Sequence, residues 1–361
     1  MESKIKPKML KIGDKVAIVS LSSGILGEDE LKLQLELGKR RLTFMGLIPT
    51  FMPNALKGIE FIKNNPKARA LDLKEAFLDK DIKAIICAIG GDDTYKTIPY
   101  LMNDDSFKTI VRENPKIFIG FSDSTNNHLM LNKLGLVTYY GLNFLSDLAE
   151  LETQMLPYTK DSYELFLQNE DNLEIKSSDT WYENRETYGD EQLGVPLISH
   201  KEEKGYEVLF GSGIVDGEFW GGCLESLYDI FTSNRYHDQR EVFEKYNLLE
   251  DATFYKEKIV FLETSEEKCE PKLFEKMIEV LIKEGVLTNA KALIVGKPDD
   301  EVYYDKYKEI LTTLVKKHKL PTLYNVNVGH ALPRTIIPMG LKGQIDFDNR
   351  KLFIKEALFS E

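Results

Sequence analysis

Between Lys15 and about Tyr140 the chain alternates short, apolar runs with helical patterns, and this alternation narrows the possible folds more than any other feature. The runs are Val16–Val19, Ala84–Ile89, Ile117–Phe121 and Val137–Tyr140; helical patterns cover about Glu28–Phe44 and the residues after Ser122. Strands apolar on both faces and separated by helices predict a parallel sheet covered on both sides. Ligands of such sheets gather at the carboxyl ends of the strands. Three of these ends carry turns suited to chemistry: Ser20-Leu21-Ser22-Ser23-Gly24, Gly90-Gly91-Asp92-Asp93 and Gly120-Phe121-Ser122-Asp123-Ser124.

The last turn is the sharpest signal. Ser122 follows an apolar strand and opens a helix, so its hydroxyl is lifted clear of the sheet while the next backbone N–H groups lie at the positive end of a helix dipole. That is an arrangement for a nucleophile and an oxyanion. Ser and Asp are also ordinary helix caps, which is the structural alternative. Gly90-Gly91 lets backbone N–H groups approach a ligand closely.

At 361 residues the chain is long enough for two domains, and the boundaries expected are 1–165, a connector over 166–200, and 201–361. With 42% hydrophobic and 29% charged residues it reads as a folded protein. A net charge of −12 without a basic stripe disfavours nucleic acid as a partner. No apolar run reaches the ~18 residues of a membrane span, and no hydrophobic signal region follows Met1, so a cytoplasmic protein without membrane attachment is expected. Cys87, Cys223 and Cys269 lack paired spacing and read as buried thiols; the five histidines show no metal-ligand spacing, so no metal site is expected.

The segment from Thr153 to about Pro196 is polar and irregular, and it contains Trp181 and Arg185. Beyond it come strand Tyr206–Phe210, a Gly-rich turn over Gly211–Gly217, a helix from near Cys223, and strand Lys258–Leu262. Helix Leu273–Lys283, strand Ala292–Gly296, helix Asp305–His318 and strand Leu323–Val328 follow, and a hairpin of Gln344–Phe347 with Lys351–Ile354 closes the chain. The Gly-rich turn matches neither dinucleotide nor P-loop spacing.

A serine nucleophile needs a base, and the base an orienting group. His330 lies just past an apolar strand in Gly329-His330-Ala331-Leu332-Pro333, and Glu263 ends the strand Ile259–Leu262, where a carboxylate calls for a partner. Each has a plain alternative, a loop histidine on a carbonyl and a turn cap. His128 lies six residues past Ser122, on another side of the same helix.

Six ordered motifs together resemble the LD-carboxypeptidase family of serine peptidases, including its branch of microcin C immunity proteins. They are Gly13–Val19, Ile89–Asp93, Gly120–Thr125, Trp220-Gly221-Gly222-Cys223-Leu224-Glu225, Phe261–Glu267, and Gly329–Pro333 with Pro338-Met339-Gly340. The resemblance implies an N-terminal flavodoxin-like three-layer α/β sandwich and a C-terminal mixed, β-rich α/β domain. It implies Ser122 as nucleophile, His330 as general base, Glu263 as its orienting acid, and an oxyanion hole of the Gly91 and Asp123 N–H groups. No cofactor is implied, and a homodimer is.

The family's substrates are LD-linked muropeptides or, in the immunity branch, a peptide or aminoacyl group joined to a nucleotide. The connector with Trp181 and Arg185, and the Trp220-Gly221-Gly222 form of the central motif, look like the second branch, with Trp181 as a nucleobase platform. Trp220 and Cys223 complete the expected substrate-binding set, although Cys223 stands where relatives often carry Asn. An α/β-hydrolase would want Gly at position 124, which holds Ser124; an amidotransferase nucleophile at Cys87 would sit inside a strand. Outside enzymes, the alternative is a two-domain small-ligand-binding protein.

Overall fold

The computed structural model describes residues 4–361 and separates into two compact units. The first comprises the chain up to Asn169 together with Arg185–Pro196 and Leu358–Glu361; the second comprises Glu170–Asn184 and Leu197–Ala357. The stretch expected as a connector is therefore divided between both units.

The first unit carries strands β1 (Lys15–Val19), β2 (Ile48–Phe51), β3 (Ile82–Cys87), β4 (Ile117–Gly120) and β5 (Thr138–Tyr140). All pair in parallel, in the order β5-β4-β3-β1-β2. This is the flavodoxin order, and the chain changes direction across the sheet between β1 and β3. Because crossovers are right-handed, those on the two sides of β1 cover opposite faces. Val16–Val19 and Ile117–Ile119 are accordingly buried on both sides, which explains their unbroken apolar character. The helix predicted over Glu28–Phe44 is regular only from Lys32 to Phe44, its first turn being a short 3₁₀ segment, Asp29–Leu31. The β2 strand escaped the sequence reading: Ile48-Pro49-Thr50-Phe51 is a half-exposed edge with a proline, tolerated because an edge residue needs no second ladder bond.

The second unit introduces β6 (Leu173–Ile175), β7 (Thr180–Tyr182), β8 (Ser199–Lys201), β9 (Glu207–Phe210), β10 (Ile214–Cys223), β11 (Lys258–Glu263), β12 (Ala292–Gly296), β13 (Thr322–Val326), β14 (Ile337–Met339), β15 (Lys342–Asp346) and β16 (Lys351–Ile354). Its sheet runs β6-β16-β15-β10-β11-β12-β13-β9. The four central strands, β10 to β13, are parallel, while β9, β15, β16 and β6 extend the edges antiparallel. Helices Leu224–Thr232, Pro271–Lys283 and Tyr304–His318 make the crossovers. β7 and β8 form a separate ribbon.

One element corrects the sequence reading outright. The Gly-rich stretch taken as a turn over Gly211–Gly217 gives way at Ile214 to a ten-residue strand, β10, which pairs with β11 and β15. Its glycines at 217, 221 and 222 lower its strand signal without preventing the ladder.

Candidate active site

In the first unit, Ser122 begins a 3₁₀ turn at the end of β4 that runs into the helix Thr125–Lys133. Its φ is +63°, the left-handed region that costs a non-glycine residue about 1 kcal/mol or more and is kept where surrounding structure over-determines it. Its N–H donates to the Tyr140 hydroxyl at 3.0 Å, and Thr125 Oγ1 donates to its carbonyl at 2.7 Å. The Gly90-Gly91 turn at the end of β3 lies against it: a Cβ on Gly90 would stand 2.9 Å from Ser122 Oγ. Gly91 has φ +147°, and a Cβ there would come 2.3 Å from Ser22 Oγ in the turn after β1. The strand-end turns singled out in the sequence thus converge at the point where the chain changes direction across the sheet, the place where open α/β sheets bind ligands.

Asp123 ties these turns together through its buried carboxylate, which accepts from Ser22 Oγ at 2.5 Å, the Thr94 N–H at 2.8 Å and Asn126 Nδ2 at 2.8 Å. Burial pushes its carboxyl up to about 6, with Asp93 and Asp92 adding to the rise and the Ser22 and Thr94 bonds opposing it. Behind it, fully buried Arg69 donates to Asp93 at 2.6 Å and to the Leu21 carbonyl at 3.0 Å. His128 is buried, its ring nitrogens bonded to Thr138 Oγ1 at 2.8 Å and the Gly120 carbonyl at 2.9 Å. Burial lowers it to about 3, so it is a neutral structural residue. Cys87 is a buried thiol that burial raises to about 12.

In the second unit, β11 delivers Glu263 directly to His330. His330 Nδ1 lies 2.7 Å from Glu263 Oε2, and the His330 N–H donates to the same oxygen at 3.2 Å. A carboxylate only accepts, so Nδ1 carries the proton, and Nε2, on the other side of the ring, lies 3.0 Å from Glu266 Oε2. Both residues are buried, and Gly329, at φ +99°, makes the approach possible: a Cβ there would sit 2.3 Å from Glu263 Oε2. Arg334 Nη2 holds the His330 carbonyl at 2.9 Å. Burial alone would keep the imidazole neutral, but Glu263 and Glu266 override it and raise His330 to about 10.

The remaining sequence candidates separate. Trp181, on β7, is half-buried and stacks on His200 with ring centres 4.1 Å apart, and buried Lys297 lies 5.3 Å from its ring centre. Arg185 falls in the other unit, where its guanidinium bonds Glu150 at 2.7 Å and the Val195 carbonyl at 2.6 Å, a structural pairing rather than a ligand clamp. Trp220 is buried against Tyr255 and Phe254, so it belongs to the core. The Cys223 thiol points to Glu225 at 3.3 Å; burial, Glu225 and Glu263 all hold it protonated.

Three residues near His330 were not foreseen. Glu266 Oε2 lies 3.0 Å from His330 Nε2, Glu225 is buried beneath the same turn and accepts the Ser265 N–H at 3.1 Å, and Asp299 is buried nearby and raised to about 6. Glu266 lies within the Phe261–Glu267 motif, but as one of two adjacent glutamates in a polar turn it was given no role of its own. Glu225 did carry a signal, as an acid on the apolar face of the helix after Cys223.

A flavodoxin-ordered sheet bearing a serine turn and a second α/β unit bearing a buried acid–histidine pair define a two-domain α/β protein. The chain belongs to the LD-carboxypeptidase family: the family's N-terminal domain matches residues 16–141 and its C-terminal domain residues 216–345. It is 28% identical to the Microcin C7 self-immunity protein MccF of Escherichia coli over 81% of this chain and 80% of that protein. A probable murein peptide carboxypeptidase of Bacillus subtilis is 27% identical over 98% of this chain and 95% of its own. Among solved structures, the MccF-like protein from Streptococcus pneumoniae in complex with AMP superposes with a TM-score of 0.91 at 46% identity, covering 95% of this chain and 98% of that one.

Proposed function

We propose that the protein is a serine hydrolase that cleaves an amide bond, with Ser122 as nucleophile, His330 as general base and Glu263 as the acid that orients it. The observation that carries this reading is the buried Glu263–His330 pair, bonded at 2.7 Å through Nδ1, which leaves Nε2 as the ring nitrogen that Glu263 does not engage. In the reaction, Nε2 takes the Ser122 hydroxyl proton as Oγ attacks the carbonyl carbon, and the oxyanion is met by the Gly91 and Asp123 N–H groups. The imidazolium then protonates the leaving amine as the C–N bond breaks. Water, deprotonated by the same histidine, hydrolyses the acyl-enzyme and restores Ser122.

The substrate class favoured is a peptidyl- or aminoacyl-nucleotide. Its support is the 46% identical relative whose structure holds AMP. A second reading, an LD-linked muropeptide, rests on the likeness to the murein peptide carboxypeptidase along nearly the full chain. Mass spectrometry of parallel incubations with an aminoacyl sulfamoyl or phosphoramidate adenylate and with an LD-linked tetrapeptide distinguishes them. Cleavage of the nucleotide conjugate, reduced at least about a thousandfold by Ser122→Ala, is the expected result. Release of the terminal D-amino acid alone would favour the second reading, and full turnover by Ser122→Ala would remove the serine mechanism.

A further inference from the structure

His330 meets a carboxylate at each ring nitrogen: Glu263 Oε2 at 2.7 Å from Nδ1 and Glu266 Oε2 at 3.0 Å from Nε2. The two acids are built differently. Glu263 ends β11 and its side chain is fully buried, whereas Glu266 lies three residues on, in a turn, with 68% of its side chain exposed. Since carboxylates only accept hydrogen bonds, the two contacts together require a proton on each nitrogen. An imidazolium cannot accept the hydroxyl proton of a nucleophile. The nitrogen that the proposed mechanism needs as a base is thus the one that Glu266 engages.

We propose that Glu266 is a displaceable latch on the catalytic base: in the empty protein it holds His330 as the imidazolium, and occupation of the space before Nε2 displaces it and frees the base. This rests on the hydrolase reading above. The asymmetry in burial supports it, since an exposed side chain changes rotamer on the nanosecond scale and a solvated ion pair is weakly held. The charges around the ring favour the same closed state. Glu263 from β11, Glu266 from the following turn, Glu225 from the helix after β10 and Asp299 from the turn after β12 face it, against Arg334 from its own loop. His330 is accordingly raised to about 10 and Glu266, hydrogen-bonded to it, lowered to about 2.

The test is an NMR titration of the full-length protein with isotope-labelled histidine, the His330 signal being assigned by its loss in His330→Gln. In Glu266→Gln the His330 midpoint falls by about 1 unit or more, because one anion in contact with the ring is removed. The acidic limb of the kcat/KM profile moves down with it, raising kcat/KM near neutrality severalfold. An unchanged midpoint overturns the proposal. So does a lower midpoint accompanied by a fall in kcat at every pH, which would make Glu266 part of the working machinery. If no substrate turns over, the hydrolase reading fails, while the titration still decides whether Glu266 holds the ring protonated.

Discussion

A histidine between carboxylates is a stabilised cation, and that sets opposite demands on folding and on catalysis. His330 binds its proton more tightly in the fold, near 10, than the ordinary value of 6.5. The resulting stabilisation is complete below about pH 6.5 and is lost as pH rises towards 10, on the order of a few kcal/mol. Denaturant unfolding at pH 6, 8 and 10 is therefore expected to show the wild type losing stability over this range and His330→Gln sharing little of that loss. Asp123 makes a second residue-scale case. Its buried carboxylate has donors on both oxygens, so Asp123→Asn sets an NH₂ group against one of them. A cost of about 1–3 kcal/mol is expected, with kcat reduced more than KM, because the turns holding Gly91 and Ser122 lose their shared anchor. Steady-state kinetics beside equilibrium unfolding measures both. Ser122, Glu263 and His330 stood out in the sequence because a polar residue at or just past the end of an apolar strand is an anomaly. The Asp123 side chain did not, since its partners lie in turns about 30 and 100 residues away.

At the scale of elements, the acid–histidine pair depends on a glycine more than on its own residues. Gly329 combines φ +99° with a neighbour that cannot yield: an added Cβ would sit 2.3 Å from Glu263 Oε2 and 2.4 Å from Glu263 Cβ, both buried. Gly329→Ala is expected to lower Tm and to cut kcat at least about tenfold by forcing the carboxylate off Nδ1, on top of about 1–3 kcal/mol of backbone strain. Gly213→Ala is the control, for it has φ +69° with nothing within 4 Å of the added carbon. Strain alone would make the two alike; a loss of activity confined to Gly329→Ala isolates the contact. The elements legible in the sequence were those with one strong period. Strand β12 and the helix Pro271–Lys283 fall where read, since their apolar residues meet a single core. The β10 strand was hidden by its glycines and β2 by its edge position, so local propensity and tertiary pairing disagreed there.

At the scale of the whole chain, the units are interleaved rather than consecutive, which no local pattern announces. The first unit takes back Arg185–Pro196 after the chain has entered the second, and again Leu358–Glu361 at the far end. Both returns are anchored. Arg185 joins buried Glu150, and the tail places Phe359 between Tyr139 and Phe166, with ring centres 5.5 and 6.2 Å away. The Tyr139 hydroxyl donates to the Leu358 carbonyl at 2.6 Å, and the Ser360 N–H to Pro7 at 2.9 Å. Leu358 and Phe359 are almost wholly buried, and burying each contributes about 1.5–3 kcal/mol. Against a total stability of about 5–15 kcal/mol that is a large share. Removing residues 358–361 is therefore expected to weaken the first unit, although these residues are some 220 positions from β5 in the chain. Hydrogen exchange localises the effect: protection should fall first in Thr138–Tyr140 and around Phe166, while β11 and β12 keep theirs. Uniform loss across both units would instead mean that the chain unfolds as one cooperative body, and unchanged protection with unchanged Tm would show that the tail contributes nothing to the core it fills.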